Sequence, residues 1–468
     1  MFSKNTFSIH EEKVAVITAN NDVYTYQNLI EISDEIYGYI NHKTLVFCLC
    51  KNQIGSLCGY ISFISNKVVP LMLDASLNRE LLRSLINTYQ PEYLWLPYDI
   101  IDEFSFGQLI FSKLDFALIK LEYDKYFTLN DDLALLLTTS GSTGSPKLVR
   151  ISYNNLKANA ESIAEYLSID KNERPITTLP MSYSFGISII NSHLLKGASI
   201  LLTSKSLMER EFWDFFKKQK ATSLSGVPYT FEILKKLRFF QMDLPSLKAL
   251  TQAGGKLNNE LIKEFAEYSQ KYSKQFIVMY GQTEATARMS YLPSKYSLLK
   301  IGSMGIPIPG GEFSLIDENS NLIEGSEITG ELIYKGKNVS MGYAENGNDL
   351  QKSDENLGVL YTGDLAKRDD DNFYYIVGRK KRFIKLFGNR VNLDETEQLL
   401  KSIIPECACS GDDDQMKIYI TDKTRTDEVR VFISTKMGIH HSAFIIKHIE
   451  SIPKNSSGKT IYSNLSNA

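Results

Sequence analysis

From Tyr26 to Ile40 apolar residues fall at helical spacing, and an apolar run of strand length, Leu45 to Cys50, follows. Val68 to Leu73 is a second such run, and Leu81 to Ile86 returns to helical spacing. This alternation of strand and helix predicts a parallel, doubly wound sheet. Leu133 to Leu137 reads as a buried strand and runs straight into a stretch rich in Gly, Ser and Thr. Helical spacing recurs at Asn154 to Tyr166, Phe212 to Lys218 and Leu257 to Tyr272. Short strand-like runs lie between, such as Ser199 to Leu202 and Phe276 to Met279.

Beyond Lys300 the texture changes. Short strand-like pieces, IGSMGIPIPGGEFSLID, TGELIYKG and NFYYIVG, are divided by Gly, Pro, Asn and Asp, the punctuation of a small β-rich region. The run Asp369 to Asn372 fits a hairpin turn. The last stretch reads as a separate small unit, with a helix at Leu393 to Ile403 and strands at Met416 to Thr421 and Val429 to Ser434. The basic cluster Gly378 to Arg382 is the expected linker, dividing the chain into 1–378 and 379–468.

Composition adds exclusions. The chain has 468 residues and a net charge of −3, from 52 basic and 55 acidic side chains. Such a balance speaks against a generic nucleic-acid binder, which needs a basic excess. Mean hydropathy is −0.19. No apolar run approaches the ~20 residues of a membrane span, and the first residues have no secretory pattern. Neither pair of close cysteines, Cys48/Cys50 or Cys407/Cys409, has the spacing zinc favours. Reduced thiols in a cytoplasmic protein are the expectation.

Four stretches carry candidate chemistry. TTSGSTGSPK, Thr138 to Lys147, follows a strand and can offer N–H groups, hydroxyls and a cation to phosphate. By composition alone it is equally a flexible linker. It is not a Walker loop, because its Lys does not follow a Gly; at Gly458-Lys459-Thr460 the first Gly is replaced by Pro453. In VMYGQTEAT, Val278 to Thr286, a strand ends in a Gly turn followed by Gln282, Thr283 and Glu284. A carboxylate there can hold Mg²⁺ beside phosphates. In YTGDLA, Asp364 can accept ribose hydroxyls, although a capping turn is the commoner use of such an Asp. IPKNSSGKTIY, Ile452 to Tyr462, reads alone as a solvated tail.

In this order and at these distances the four stretches resemble the adenylate-forming superfamily of acyl-CoA synthetases, adenylation domains and luciferases. TYQNL (Thr25 to Leu29), QAGGKL (Gln252 to Leu257), GELIYKGKNVSMGY (Gly330 to Tyr343) and IKLFGNRVNLDETE (Ile384 to Glu397) extend the resemblance over nearly the whole chain. It implies an α/β fold: a large N-terminal domain of stacked sheets with a small β-rich subdomain, and a small mobile α+β C-terminal lid. It also implies a two-step reaction. A carboxylate attacks the α-phosphorus of ATP, giving an acyl-adenylate and pyrophosphate; a thiol then takes the acyl group.

The resemblance also assigns roles. Thr139, Ser140, Gly141, Ser142, Thr143 and Lys147 would hold the β- and γ-phosphates. Thr283 would contact the α-phosphate and Glu284 would bind Mg²⁺. Tyr280 would stack on adenine, with Gly254, Gly255 and Gly281 lining its pocket. Asp364 and Arg379 would bind the ribose, and Lys459 would bridge the substrate carboxylate and α-phosphate. Lys381 marks the hinge, and Lys385 is carried over to the thioester step. The acyl pocket is expected among Tyr183 to Ser188, Gly226 to Thr230, Thr251 to Gly255 and Gln282 to Arg288.

The chain departs from the family pattern in places. Leu148 replaces a Gly after the phosphate-loop Lys, and the His frequent after Leu179-Pro180 is missing from MSYSFGIS, which has Tyr183 and Ser184 nearby. No acid occurs between Met181 and Lys196, which disfavours an α-amino acid, whose buried ammonium would lack a partner. Tyr462 stands where an Arg is common. The acceptor, coenzyme A or the phosphopantetheine of an acyl carrier protein, stays open. So do transfer to an amine or oxygen, and a non-catalytic nucleotide-binding role. Retention of Lys459 speaks against the last, since a binding module has no use for a transition-state cation.

Overall fold

Strands that read as unbroken apolar runs need cover on both faces. A computed structural model of the chain describes residues 4–138, 147–386, 389–412, 415–437, 440–454 and 460–465. Leu45–Cys50 is buried at every position and pairs in parallel with Val69–Asp74 and Tyr93–Pro97. These strands form the centre of an eight-stranded sheet. On one side it continues through Leu133–Thr138, Leu148–Ser152 and Tyr343–Ala344, and on the other through Phe116–Lys120 and Gln108–Lys113.

A second sheet has nine strands. Its parallel centre runs Gln275–Tyr280, Ala249–Gln252, Ser223–Gly226, Pro175–Ile176, Ile200–Leu202, Val14–Thr18. One hydrophobic cluster joins residues of both sheets, such as Cys48 and Val16, through helices Ile54–Ser65 and Ser184–Leu195. Both helices are buried nearly all round, as a middle layer requires.

The chain forms two compact units. The larger joins the residues up to Glu312 with Lys335–Leu360, and the smaller joins Phe313–Tyr334 with the residues from Tyr361 onward. A four-stranded sheet whose residues fall mostly in the smaller unit is ordered Gly311–Ile316, Gly330–Gly336, Val359–Arg368, Tyr374–Arg379. Its last two strands are an antiparallel pair. The expected turn joins them: Asn372 N–H donates to the Asp369 carbonyl at 3.0 Å, and Asn372 takes a left-handed φ of 63°.

A second sheet of this unit pairs Cys407–Asp412, Gln415–Ile420 and Phe444–His448. Two expectations need correction here. Val429 to Ser434 is not a strand but lies in helix Thr426–Met437. Asp427 and Glu428 favour a helix start, and Val429 and Ile433, one turn apart, are fully buried in the core of this unit. That packing overrides the β-branched composition. The helix from Leu393 ends at Leu400; beyond it the Ser402 and Ile403 N–H groups bond three residues back, to the Leu399 and Leu400 carbonyls, in the tighter turns usual at a helix end.

Candidate active site

In open α/β sheets ligands bind beyond the carboxyl ends of parallel strands. Three adjacent strands of the nine-stranded sheet end at Gly226, Gln252 and Tyr280. Gly281 follows the last. A Cβ there would lie 1.7 Å from the Ala287 carbonyl oxygen, so only glycine fits. The chain folds back on itself after it: Ala285 and Ala287 N–H groups both donate to the Gln282 carbonyl, at 3.0 and 3.2 Å.

Thr286 and Ala287 hold left-handed φ values of 61° and 127°, a strained pair for residues with a Cβ. Asn338 holds the turn in place. Its amide donates to the carbonyls of Ala285 and Arg288, at 2.8 and 2.9 Å, and its carbonyl accepts from Thr286 Oγ1 at 2.7 Å.

This turn aims the two polar side chains of the motif. Thr283 Oγ1 lies 3.3 Å from Ser184 Oγ. Glu284 Oε1 accepts from the Tyr343 hydroxyl at 2.7 Å. Burial, with Glu284 adding to it, pushes the Tyr343 hydroxyl pKa well up, so it donates at neutral pH. The same ring faces Lys147, whose ammonium lies 5.8 Å from its centroid and pairs with Glu345 at 2.5 Å. Tyr343 therefore joins two motif residues far apart in sequence. Gln282 donates to the Tyr280 hydroxyl at 3.2 Å. Gly254 has φ +84°, and a Cβ there would meet the Tyr183 hydroxyl at 2.7 Å. Gly255 offers its carbonyl to the Gln252 amide at 2.8 Å.

Thr139, Ser140, Gly141, Ser142 and Thr143 lie outside the described residues. The strands that flank them pair antiparallel, with Thr138 opposite Leu148. Leu148 is fully buried in that pairing.

In the smaller unit Asp364 and Arg379 are register partners on adjacent strands, with Nε 3.6 Å from Oδ1. The carboxylate is buried and the guanidinium exposed. Lys385 has its backbone in strand Phe383–Leu386. Lys459 lies outside the described residues. Its flanks are pinned together: Lys454 bridges Thr460, and Ile461 N–H donates to the Pro453 carbonyl at 2.8 Å. Tyr462 anchors that base. Its hydroxyl donates to Glu397 at 2.9 Å, and Arg382 lies 3.9 Å over its ring. Arg382 in turn pairs with Asp394 at 2.8 Å and Glu397 at 2.6 Å.

Two functional candidates escaped the sequence. Tyr343 was one residue in a long motif match, with nothing to mark its bond to Glu284. Arg288 was only the end of an expected pocket segment. It is 1% exposed, with its guanidinium 3.9 Å over the Phe185 ring. A lone cation between the turn and the short strand Ser290–Tyr291 is the available signal.

Among the described residues no three His, Cys, Asp or Glu cluster for a metal. A cation at Glu284 would take its other oxygens from phosphates and water, the usual mode for Mg²⁺. All five cysteines are free and buried. No described helix is long and apolar enough to cross a membrane.

Residues 66–344 match the family model described as AMP-binding enzyme. The peroxisomal OPC-8:0-CoA ligase 1 of Arabidopsis thaliana is 30% identical over 355 residues, covering 72% of this chain and 64% of that protein. A 2-succinylbenzoate–CoA ligase of Bacillus velezensis is 27% identical over 350 residues, covering 72% and 69%. The chain spans 60% to 64% of the length of several curated relatives it matches. Among solved structures, the o-succinylbenzoate coenzyme A synthetase of Bacillus subtilis bound to AMP superposes with a TM-score of 0.80 at 20% identity, covering 99% of this chain and 97% of that one. An anthranilate CoA ligase bound to anthranoyl-AMP gives 0.80 at 17%, covering 99% and 96%. These likenesses establish the α/β architecture, a large N-terminal and a smaller C-terminal domain.

Proposed function

We infer the function from one premise: the chain belongs to the AMP-binding enzyme family. We propose that it is an ATP-dependent carboxylic acid ligase. A substrate carboxylate oxygen bonds to the α-phosphorus as the bond to pyrophosphate breaks. A thiol sulfur then bonds to the acyl carbon, AMP leaves, and the thiol proton passes to solvent. The acceptor is coenzyme A or a carrier protein's phosphopantetheine. Curated relatives named as CoA ligases for chemically distinct acids support this class, as does a neighbour combining an adenylation domain with a carrier domain.

The observation that carries the reading is the Tyr343 junction, with Lys147 on its face and Glu284 on its hydroxyl. The first step joins two anions, so the site has to supply positive charge and alignment. Lys147 exchanges Glu345 for the β- and γ-phosphates, beside the loop Thr139 to Thr143. Thr283 orients the α-phosphate, and Glu284 holds Mg²⁺. When bound, Mg²⁺ withdraws charge from phosphate oxygens. Tyr280 stacks on adenine, and Gly254, Gly255 and Gly281 leave backbone where side chains would intrude. Asp364 and Arg379 take the ribose. Residues 379–468 form the lid that brings in Lys459, with Lys385 serving the thioester step. Five unpaired cysteines suit the reducing cytoplasm.

The test is ATP–pyrophosphate exchange across a panel of carboxylic acids. Lys459→Ala should lower exchange by at least about 100-fold while ATP binding, followed by calorimetry, persists. Exchange that survives this change removes Lys459 from the mechanism. Product analysis with and without coenzyme A decides the acceptor.

A further inference from the structure

Arg288 is a buried cation with no counter-ion among the described residues. Of its five N–H donors, Nη2 reaches Ser188 Oγ at 3.1 Å, and among the described residues Nη1 reaches the Met279 thioether alone, also at 3.1 Å. A thioether is a weak acceptor. Nε has no partner among the described residues. Its helical neighbour, Ser184–Leu195, contains no acid. The hydroxyls that act on it electrostatically are those of Tyr166 and Tyr183, and burial pushes the Tyr166 hydroxyl up to about 12, so it brings no negative charge at neutral pH.

A cation taken out of water unpaired is costly, and an apolar side chain among Phe185 and Met279 would avoid that cost. The π-face of Phe185 offsets part of it. The arrangement is explained if an anion completes it.

The position says which anion. Ser188 lies one helical turn beyond Ser184, whose hydroxyl touches Thr283. The guanidinium is thus held about 6 Å along the helix from the proposed reaction centre. A guanidinium fork matches a carboxylate with two parallel hydrogen bonds. Resting on the ligase reading above, we propose that Arg288 recognises a second carboxylate on the acid, and that the substrate is a short dicarboxylic acid.

The experiment is ATP–pyrophosphate exchange with matched acids. Succinate, glutarate, adipate and phthalate are set against butyrate, pentanoate, hexanoate and benzoate. The wild type and Arg288→Met are compared, with ATP binding by calorimetry as the check on folding. The wild type should prefer a diacid over its monoacid by at least about 100-fold in kcat/KM. Arg288→Met should lose that preference, chiefly through KM, with ATP affinity unchanged. Arg288→Lys, which keeps charge without the fork, should fall between. An unchanged diacid-to-monoacid ratio in Arg288→Met overturns the assignment. Exchange with monoacids alone also overturns it and leaves the ligase reading standing. No exchange with any acid overturns that reading and this one with it.

Discussion

The larger unit buries two arginines in opposite ways. Arg150 sits in strand Leu148–Ser152 and is fully buried. Its donors reach the carbonyls of Tyr343 at 3.1 Å, Lys352 at 2.6 Å and Met341 at 2.9 Å, and it pairs with Glu355. Arg288, just as buried, has a hydroxyl, a thioether and a ring face. A charge satisfied by its own chain is architecture: Arg150 ties the segment carrying Tyr343 to the sheet. A charge left without an anion points to a ligand. The same side chain at the same depth carries different information according to who answers its donors.

The largest effect that could break this comparison is on stability. Arg150→Met should cost about 3 kcal/mol, because it strands a row of carbonyls and a carboxylate. Arg288→Met should leave stability unchanged or raise it, since it removes a charge with no ion pair among the described residues. Urea unfolding of both variants checks this. If the two lose similar amounts, Arg288 is as structural as Arg150 and the distinction fails.

A pH effect of similar order sharpens the contrast. His193 lies on the helix that carries Ser188, with Nδ1 2.8 Å from the Ile189 carbonyl. Burial, with a smaller contribution from Arg288, lowers its pKa to about 4 against the opposing Ile189 carbonyl and Glu173. The folded state therefore binds this proton less tightly than the unfolded chain does. Its stabilisation is complete above the ordinary value of 6.5, declines as pH falls, and is gone near 4. The loss is about 3 kcal/mol. Unfolding of wild type and His193→Gln at pH 7 and pH 4 isolates it from the carboxylates. Arg288→Met should shrink this acid loss, because one neighbouring cation is gone. Equal losses in wild type and His193→Gln would sink the assignment.

What the sequence disclosed follows from what it encodes locally. The run LVFCLC was legible as a central strand because both faces are buried and nothing breaks it. The turn at Gly281 was legible as a motif, although its cause, a carbonyl where a Cβ would be, is tertiary. Val429 to Ser434 misled because β-branched residues at one-turn spacing serve a buried helix face as well as a strand. Arg150 and Arg288 look alike in sequence, since each is one cation in an apolar stretch. Only the partners separate them, and those come from Glu355 in one case and Ser188 in the other.

The smallest expected effect lies where the two regions meet. Tyr343 gives its carbonyl to Arg150 and its hydroxyl to Glu284. Tyr343→Phe keeps the first contact and deletes the second. Tyr343 is 41% exposed, so the stability cost should be about 0.5 kcal/mol. Groups that orient a metal ligand commonly cost tenfold or more when lost. The Mg²⁺ concentration for half-maximal exchange should therefore rise about tenfold, with the diacid preference untouched because Arg288 keeps its surroundings. A large fall in stability would mean that the Arg150 region depends on this hydroxyl. An altered acid preference would mean that the two regions are not separable, and the rule drawn from the two arginines would then lose its ground.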